Sequence, residues 1–128
     1  MYGHSFVEYI ESTGEQYIDT GFIPTANSKM WLDFYPTTAQ SNCFAGCRAS
    51  GSSKLFTINS GNKSTKQYCA FGDIKNTELG AHTIGRHTAS IENGLFVYDD
   101  VKTSVNTSTL NATYSVYLFA CNTNGATL

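Results

Sequence analysis

The sequence predicts an all-β domain, a two-sheet antiparallel β-sandwich of nine or ten short strands. Three observations carry this. Apolar and polar residues alternate with period two in several windows, the pattern of a strand with one face buried. Charged residues make up only 14% of the chain, and Ser, Thr, Asn and Gly fill the difference, which suits extended strands joined by polar turns. No window sustains an apolar pattern of helical period. With 128 residues, the chain is read as one domain, 1–128, long enough to bury a core.

Taken in order, VEYIESTGEQYIDTGF (7–22) opens the chain with two β-like runs, Val7 to Ile10 and Tyr17 to Phe22, around Ser12-Thr13-Gly14. SKMWLDFY (28–35) sets Met30, Leu32 and Phe34 on one face and Lys29, Trp31, Asp33 and Tyr35 on the other. KLFTIN (54–59) and QYCAFGD (67–73) alternate in the same way. HTASIENGLFVYDD (87–100) is the strongest local signal, two arms flanking Asn93-Gly94, a dipeptide that supplies positive φ angles to a tight hairpin turn. TYSVYLFAC (113–121), rich in β-branched and aromatic residues, is predicted to be a buried strand. The stretches 49–54, 59–65 and 101–113 read as loops, and they contain the three N-x-S/T sequons at Asn62, Asn106 and Asn111. Pro24 and Pro36 fall near strand ends, where a missing N–H does least harm.

The bulk numbers exclude several functions. A net charge of -2 with scattered Lys and Arg gives no field to gather phosphates, so nucleic-acid binding is not expected. No apolar run reaches the length of a membrane span, and MYGHSF lacks the charged and apolar regions of a secretory signal. Cys43, Cys47, Cys69 and Cys121 are read first as buried free thiols. Cross-strand disulfides and a metal set remain alternatives; on one extended strand Cys43 and Cys47 would stand about 13 Å apart, too far to bridge each other.

The opening stretch, followed by FAGCRASGSS (44–53), RHTASIENGLFVYDD (86–100) and YSVYLFACNTNGATL (114–128), resembles small concanavalin A-like, LamG-type jelly-roll domains. Its first motif matches the V-E-Y-I-E-S-T-G-x-Q-Y-I-D-T-G start of such modules, found in phage virion and tail proteins and in surface proteins of gut bacteria. The resemblance implies a structural or attachment role on a virion or cell surface, without catalysis. Its implied partners are other virion or surface proteins, copies of itself, or a host glycan. A lectin-like module of a secreted enzyme or adhesin is the alternative, and a glycoside hydrolase a remote one. Members usually carry another strand after the N-x-N-G loop (122–125), so a strand that is lacking, or borrowed from a neighbour, is expected near Leu128.

Catalytic chemistry finds little support in the residues. Glycoside hydrolysis needs two carboxylates facing one cleft, whereas Glu8, Glu11, Glu15 and Asp19 are distributed across a turn and read as turn and edge residues. His4, His82 and His87 have no nucleophile elbow or phosphate loop near them and read as surface or hairpin-edge residues. No cofactor is expected, with one exception. Calcium takes six to eight oxygens, and Asp99 and Asp100 at the end of the hairpin are the candidate ligands. Sugars are held by aromatic faces together with amide and hydroxyl groups. On that ground Trp31, Tyr35, Tyr98, Asn122 and Asn124 are the candidate ligand-binding residues.

Overall fold

The computed structural model describes residues 9–13, 15–38, 43–60 and 65–127. The described residues form twelve strands, β1 (Ile18–Asp19), β2 (Met30–Phe34), β3 (Cys43–Arg48), β4 (Leu55–Asn59), β5 (Lys66–Gly72), β6 (Ile74–Ala81), β7 (His87–Glu92), β8 (Leu95–Tyr98), β9 (Val101–Ser104), β10 (Tyr117–Leu118), β11 (Asn122–Thr123) and β12 (Ala126–Thr127). An eight-stranded sheet runs in the order β1-β10-β3-β4-β5-β6, with β11 also pairing β3 and β12 pairing β11. A four-stranded sheet runs β2-β7-β8-β9. All pairings are antiparallel except β11 with β3, which is parallel. The two sheets face each other, β4 and β5 against β7, β6 against β8. The expected all-β sandwich is what forms.

Alternation explains the layers. Met30, Leu32 and Phe34 of β2 turn inward onto a core of Phe56, Ile58, Cys69, Phe71, Ile91 and Phe96. Phe56 and Phe71 are direct cross-strand partners whose rings meet edge to face at 5.7 Å. Each such buried Phe contributes roughly 1.5–3 kcal/mol of transfer free energy. The hairpin of β7 and β8 forms at the expected place, with Glu92 opposite Leu95. Within its turn Gly94 takes the positive φ (92°) and Asn93 does not. Asn93 instead clamps the loop at Ser108, donating to its carbonyl at 2.9 Å and accepting its N–H at 2.8 Å. Ser108 Oγ in turn accepts the amide of Asp73 at 2.8 Å, at the turn between β5 and β6. One serine thus ties the turn of one sheet to the hairpin of the other.

Three local expectations are corrected. Among the described residues of the opening stretch only Ile18–Asp19 is strand, and Tyr9–Thr13 is not; Val7, Glu8 and Gly14 lie outside the described residues. TYSVYLFAC is buried at Val116, Tyr117, Ala120 and Cys121, yet only Tyr117–Leu118 is strand, because Phe119 takes a φ of 65° and turns the chain away. Its composition reported burial, not conformation. Residues 101–104, expected as loop, form the edge strand β9. Tyr98 stands opposite Val101 across Asp99 and Asp100, whose φ values of 47° and 67° build a two-residue turn of the mirror-image kind that hairpins favour. Where a lacking or borrowed strand was expected after the N-x-N-G loop, Ala126–Thr127 forms a short strand that folds back on Asn122–Thr123.

Candidate functional site

The outward face of the four-stranded sheet is assembled by register. Along β2 the odd-numbered residues point away from the core, so Trp31 and Asp33, followed by Tyr35, form one outward row. Trp31 is 61% exposed and Tyr35 66%, large apolar areas for solvent to meet. Four residues of extended chain set their Cα atoms about 13 Å apart. Across the strands Trp31 stands beside Ser90, then Val97, then Lys102. Ser90 is buried although it faces outward, since larger side chains flank it on both sides.

Charge sits between the aromatic rings. Arg86 donates through Nε to Asp33 Oδ1 at 2.9 Å and through Nη2 to Asp33 Oδ2 at 2.6 Å, a two-pronged pair. The Arg86 hydrogen bond holds the Asp33 carboxyl below the usual range and raises the guanidinium in return. Both groups are solvent-screened, so the pair orients more than it stabilises. Arg86 keeps further N–H donors unengaged by Asp33, and the carboxylate keeps free lone pairs. A second ion pair, Lys29 with Glu92 at 3.8 Å, borders the face. The arrangement is two exposed rings bracketing a fixed carboxylate and guanidinium. It can stack on an apolar face of a ligand while bonding its hydroxyls.

The other candidate residues go elsewhere. Tyr98 is 6% exposed and points into the core, where its hydroxyl donates to Ala81 O at 2.8 Å; it offers no ligand surface. Asn122 is buried on β11, donating to Ser115 O at 2.9 Å and accepting the Gly125 amide at 3.0 Å, so both ends of its side chain are committed to the chain itself. Asn124, at a φ of 52°, accepts the Ser50 amide at 3.0 Å. Both asparagines belong to the eight-stranded sheet, apart from Trp31 and Tyr35. Asp99 is likewise engaged, by the Thr88 amide at 3.0 Å and by His87 Nδ1 at 2.6 Å, and Asp100 serves the turn. Among the described residues no group of three or more His, Cys, Asp or Glu is arranged to hold a metal ion.

The histidine expectation is overturned. His82 and His87 are both buried, and His4 lies outside the described residues. His87 lies under the end of the hairpin, with Nδ1 also 3.0 Å from the Tyr98 hydroxyl and Nε2 2.8 Å from Thr83 O. Its Nδ1 faces the Asp99 carboxylate and its Nε2 the Thr83 carbonyl. The Tyr98 hydroxyl, pushed up to about 12 mainly by burial, remains a neutral donor. His82 packs against Phe44 and His87, its ring nitrogens without hydrogen-bond partners among the described residues. Asp19, on the edge strand β1, binds Ser115 and the Gly21 amide, which lower its pKa. The Asp33–Arg86 pair had one available signal, the parity that puts Asp33 between Trp31 and Tyr35; Arg86 reaches it from a loop that no spacing reveals.

A shallow depression lined by Ile74, Ser104, Val105 and Asn106 contains no ionisable side chain and no cluster of convergent groups. No helix of the described residues is long and apolar enough to cross a membrane. Neither family models, nor curated proteins, nor solved structures give a match to the chain, so the geometry of this face is what is left to read function from.

Proposed function

We propose that this chain is a non-catalytic attachment module that binds saccharide across the outer face of its four-stranded sheet. Its setting in this reading is structural, a module displayed on a phage particle or a bacterial surface, as the LamG-type resemblance of the opening stretch suggests. The observation that carries the reading is the pair of exposed rings, Trp31 and Tyr35, bracketing the Arg86–Asp33 pair. The two exposed rings on one outward row give a ligand apolar faces to stack on. Alternating ring and polar groups suit a sugar chain, which presents C–H patches and hydroxyls in turn. The engagement of Asp19 with Ser115 and Gly21, and of Asp99 with His87 and Thr88, favours structural duties for these carboxylates over acid–base ones.

Trp31 is the sole tryptophan of the chain, so intrinsic emission reads this face directly. Titration with a panel of neutral and acidic oligosaccharides should give a saturable shift or quench for at least one of them. Trp31→Ala should abolish binding measured by calorimetry, and Arg86→Ala should weaken it. Unchanged emission across the whole panel, with the protein folded, overturns the saccharide reading.

A further inference from the structure

We propose that His82 is an acid-operated latch: taking up a proton drives its ring out from beside Phe44 and releases the loop 82–86, which carries Arg86 to the outer face of the four-stranded sheet. The loop joins β6, an edge strand of one sheet, to β7, an inner strand of the other. His82 is its only buried side chain, since Thr83, Ile84 and Arg86 are exposed and Gly85 has none. The loop is therefore anchored in the interior by a single imidazole, set between the Phe44 ring of β3 at 5.5 Å and the His87 ring of β7 at 6.3 Å.

That anchor is poorly suited to acid. The side chain is 4% exposed, and neither ring nitrogen has a hydrogen-bond partner among the described residues. An imidazolium carries two N–H donors, so a proton taken up in place would leave a charge and both donors buried without an acceptor. His87 differs, with a carboxylate before Nδ1 and a carbonyl before Nε2. The surroundings of His82 offer no remedy. From β3 comes the uncharged Phe44 ring, and from β7 comes His87, whose charge repels a second one. Tyr98 of β8 and Asp99 after it bond to His87 instead. On the β5 side the Thr65 carbonyl takes the His82 amide at 2.9 Å, and Lys66 is paired with Glu78 at 2.8 Å. Burial first, and His87 second, hold the His82 pKa below its ordinary value.

The remaining tethers of the loop are polar. Thr83 meets His87 Nε2 through its carbonyl at 2.8 Å and its hydroxyl at 3.1 Å. The Gly85 amide donates to Pro36 O at 3.3 Å, next to Tyr35, and Arg86 holds Asp33. An opened loop hands these groups to water and lets His82 titrate near 6.5. The open loop accepts a proton that the closed one refuses. Its population therefore rises by up to about tenfold for each pH unit below about 6.5, until the closed site itself is protonated. The consequence for a ligand rests on the saccharide reading of this face: acid takes the guanidinium off Asp33 and loosens the clasp beside Tyr35, so binding weakens. The latch itself is a property of the free protein.

The test is amide exchange on the free protein, with no saccharide present, followed residue by residue by NMR. Between about pH 7.5 and 5, protection of the His82 and Gly85 amides should fall about five- to thirtyfold relative to the core strand amides of Phe56 and Ile91, once intrinsic rates are divided out. The His82 ring protons should titrate with the same midpoint as this loss. His82→Phe should keep the loop protected across the range. Protection that does not change with pH, a fall shared equally by the core amides, a fall that persists in His82→Phe, or a midpoint that follows the His87 ring would each overturn the proposal. The ring titration of the unsubstituted protein decides the matter even where the variant fails to fold, and a saccharide panel without a binder leaves every one of these outcomes readable.

Discussion

Replacing His82 by Phe should make this protein more stable. His82 is 4% exposed, packed against the rings of Phe44 and His87 at 5.5 and 6.3 Å, and neither ring nitrogen has a partner among the described residues. A neutral imidazole carries one N–H donor and one bare acceptor, so folding strips water from both and returns nothing. A buried unsatisfied group costs about 1–3 kcal/mol. Phe has a similar shape and is somewhat larger, and its extra volume gives back part of the gain through overpacking. The expected net is about 1–2 kcal/mol of stabilisation at neutral pH, near 3–8 °C in Tm for a domain of this size. The pH dependence gives a second reading. Burial first, and then the nearby His87, hold the His82 pKa below its ordinary value. The unfolded chain therefore takes up a proton near pH 6.5 that the native site refuses. Between the lowered native value and about 6.5 the unfolded state binds more protons, so stability rises with pH across that window and falls on acidification through it. Groups that do not interact with His82 cancel in the difference. Urea melts of both proteins from pH 4.5 to 8 should show the gap widening as pH falls. A destabilised variant, or a gap that stays constant with pH, would refute the orphaned-nitrogen reasoning.

Three further outcomes can be checked by thermal or chemical melts. Asp100→Gly should stabilise by about 0.5–1 kcal/mol, because glycine adopts a φ of 67° without the side-chain penalty; Asp99→Gly should instead cost about 1.5–3 kcal/mol, since its carboxylate holds His87 and the Thr88 amide. Gly72→Ala should cost more than about 3 kcal/mol, or abolish folding: an added Cβ would strike the Thr109 backbone oxygen and the Ser108 hydroxyl, at a φ of 61°. Trp31→Ala, by contrast, should leave stability within about 1 kcal/mol while removing any saccharide response, because most of that side chain already meets water.

Much of the sandwich was legible where one face alone is buried. The alternation of Met30, Leu32 and Phe34 against Trp31 and Asp33 gave β2 both its conformation and its orientation. The arms around Asn93-Gly94 gave the hairpin for the same reason. Where burial is two-sided or absent, the pattern fails. β9 is a solvent-facing edge whose polar residues look like loop, and only the Asp-Asp turn before it specifies the pairing. The segment 113–121 is buried by its neighbours while its backbone bends at Phe119. Tyr98 was assignable from parity, since it shares a face with Phe96 of the core. The buried histidines were not, because Thr83, Asp99 and Phe44 reach them through register and loop geometry that local composition does not encode.

The knot at Ser108 governs how the molecule comes apart. Its amide is taken by Asn93 and its hydroxyl by Asp73, so the two layers share one fastening at that end. The Ser108 and Asp73 amide protons should then swap for deuterium at one common rate, set by the layers parting together rather than by fraying of either turn alone.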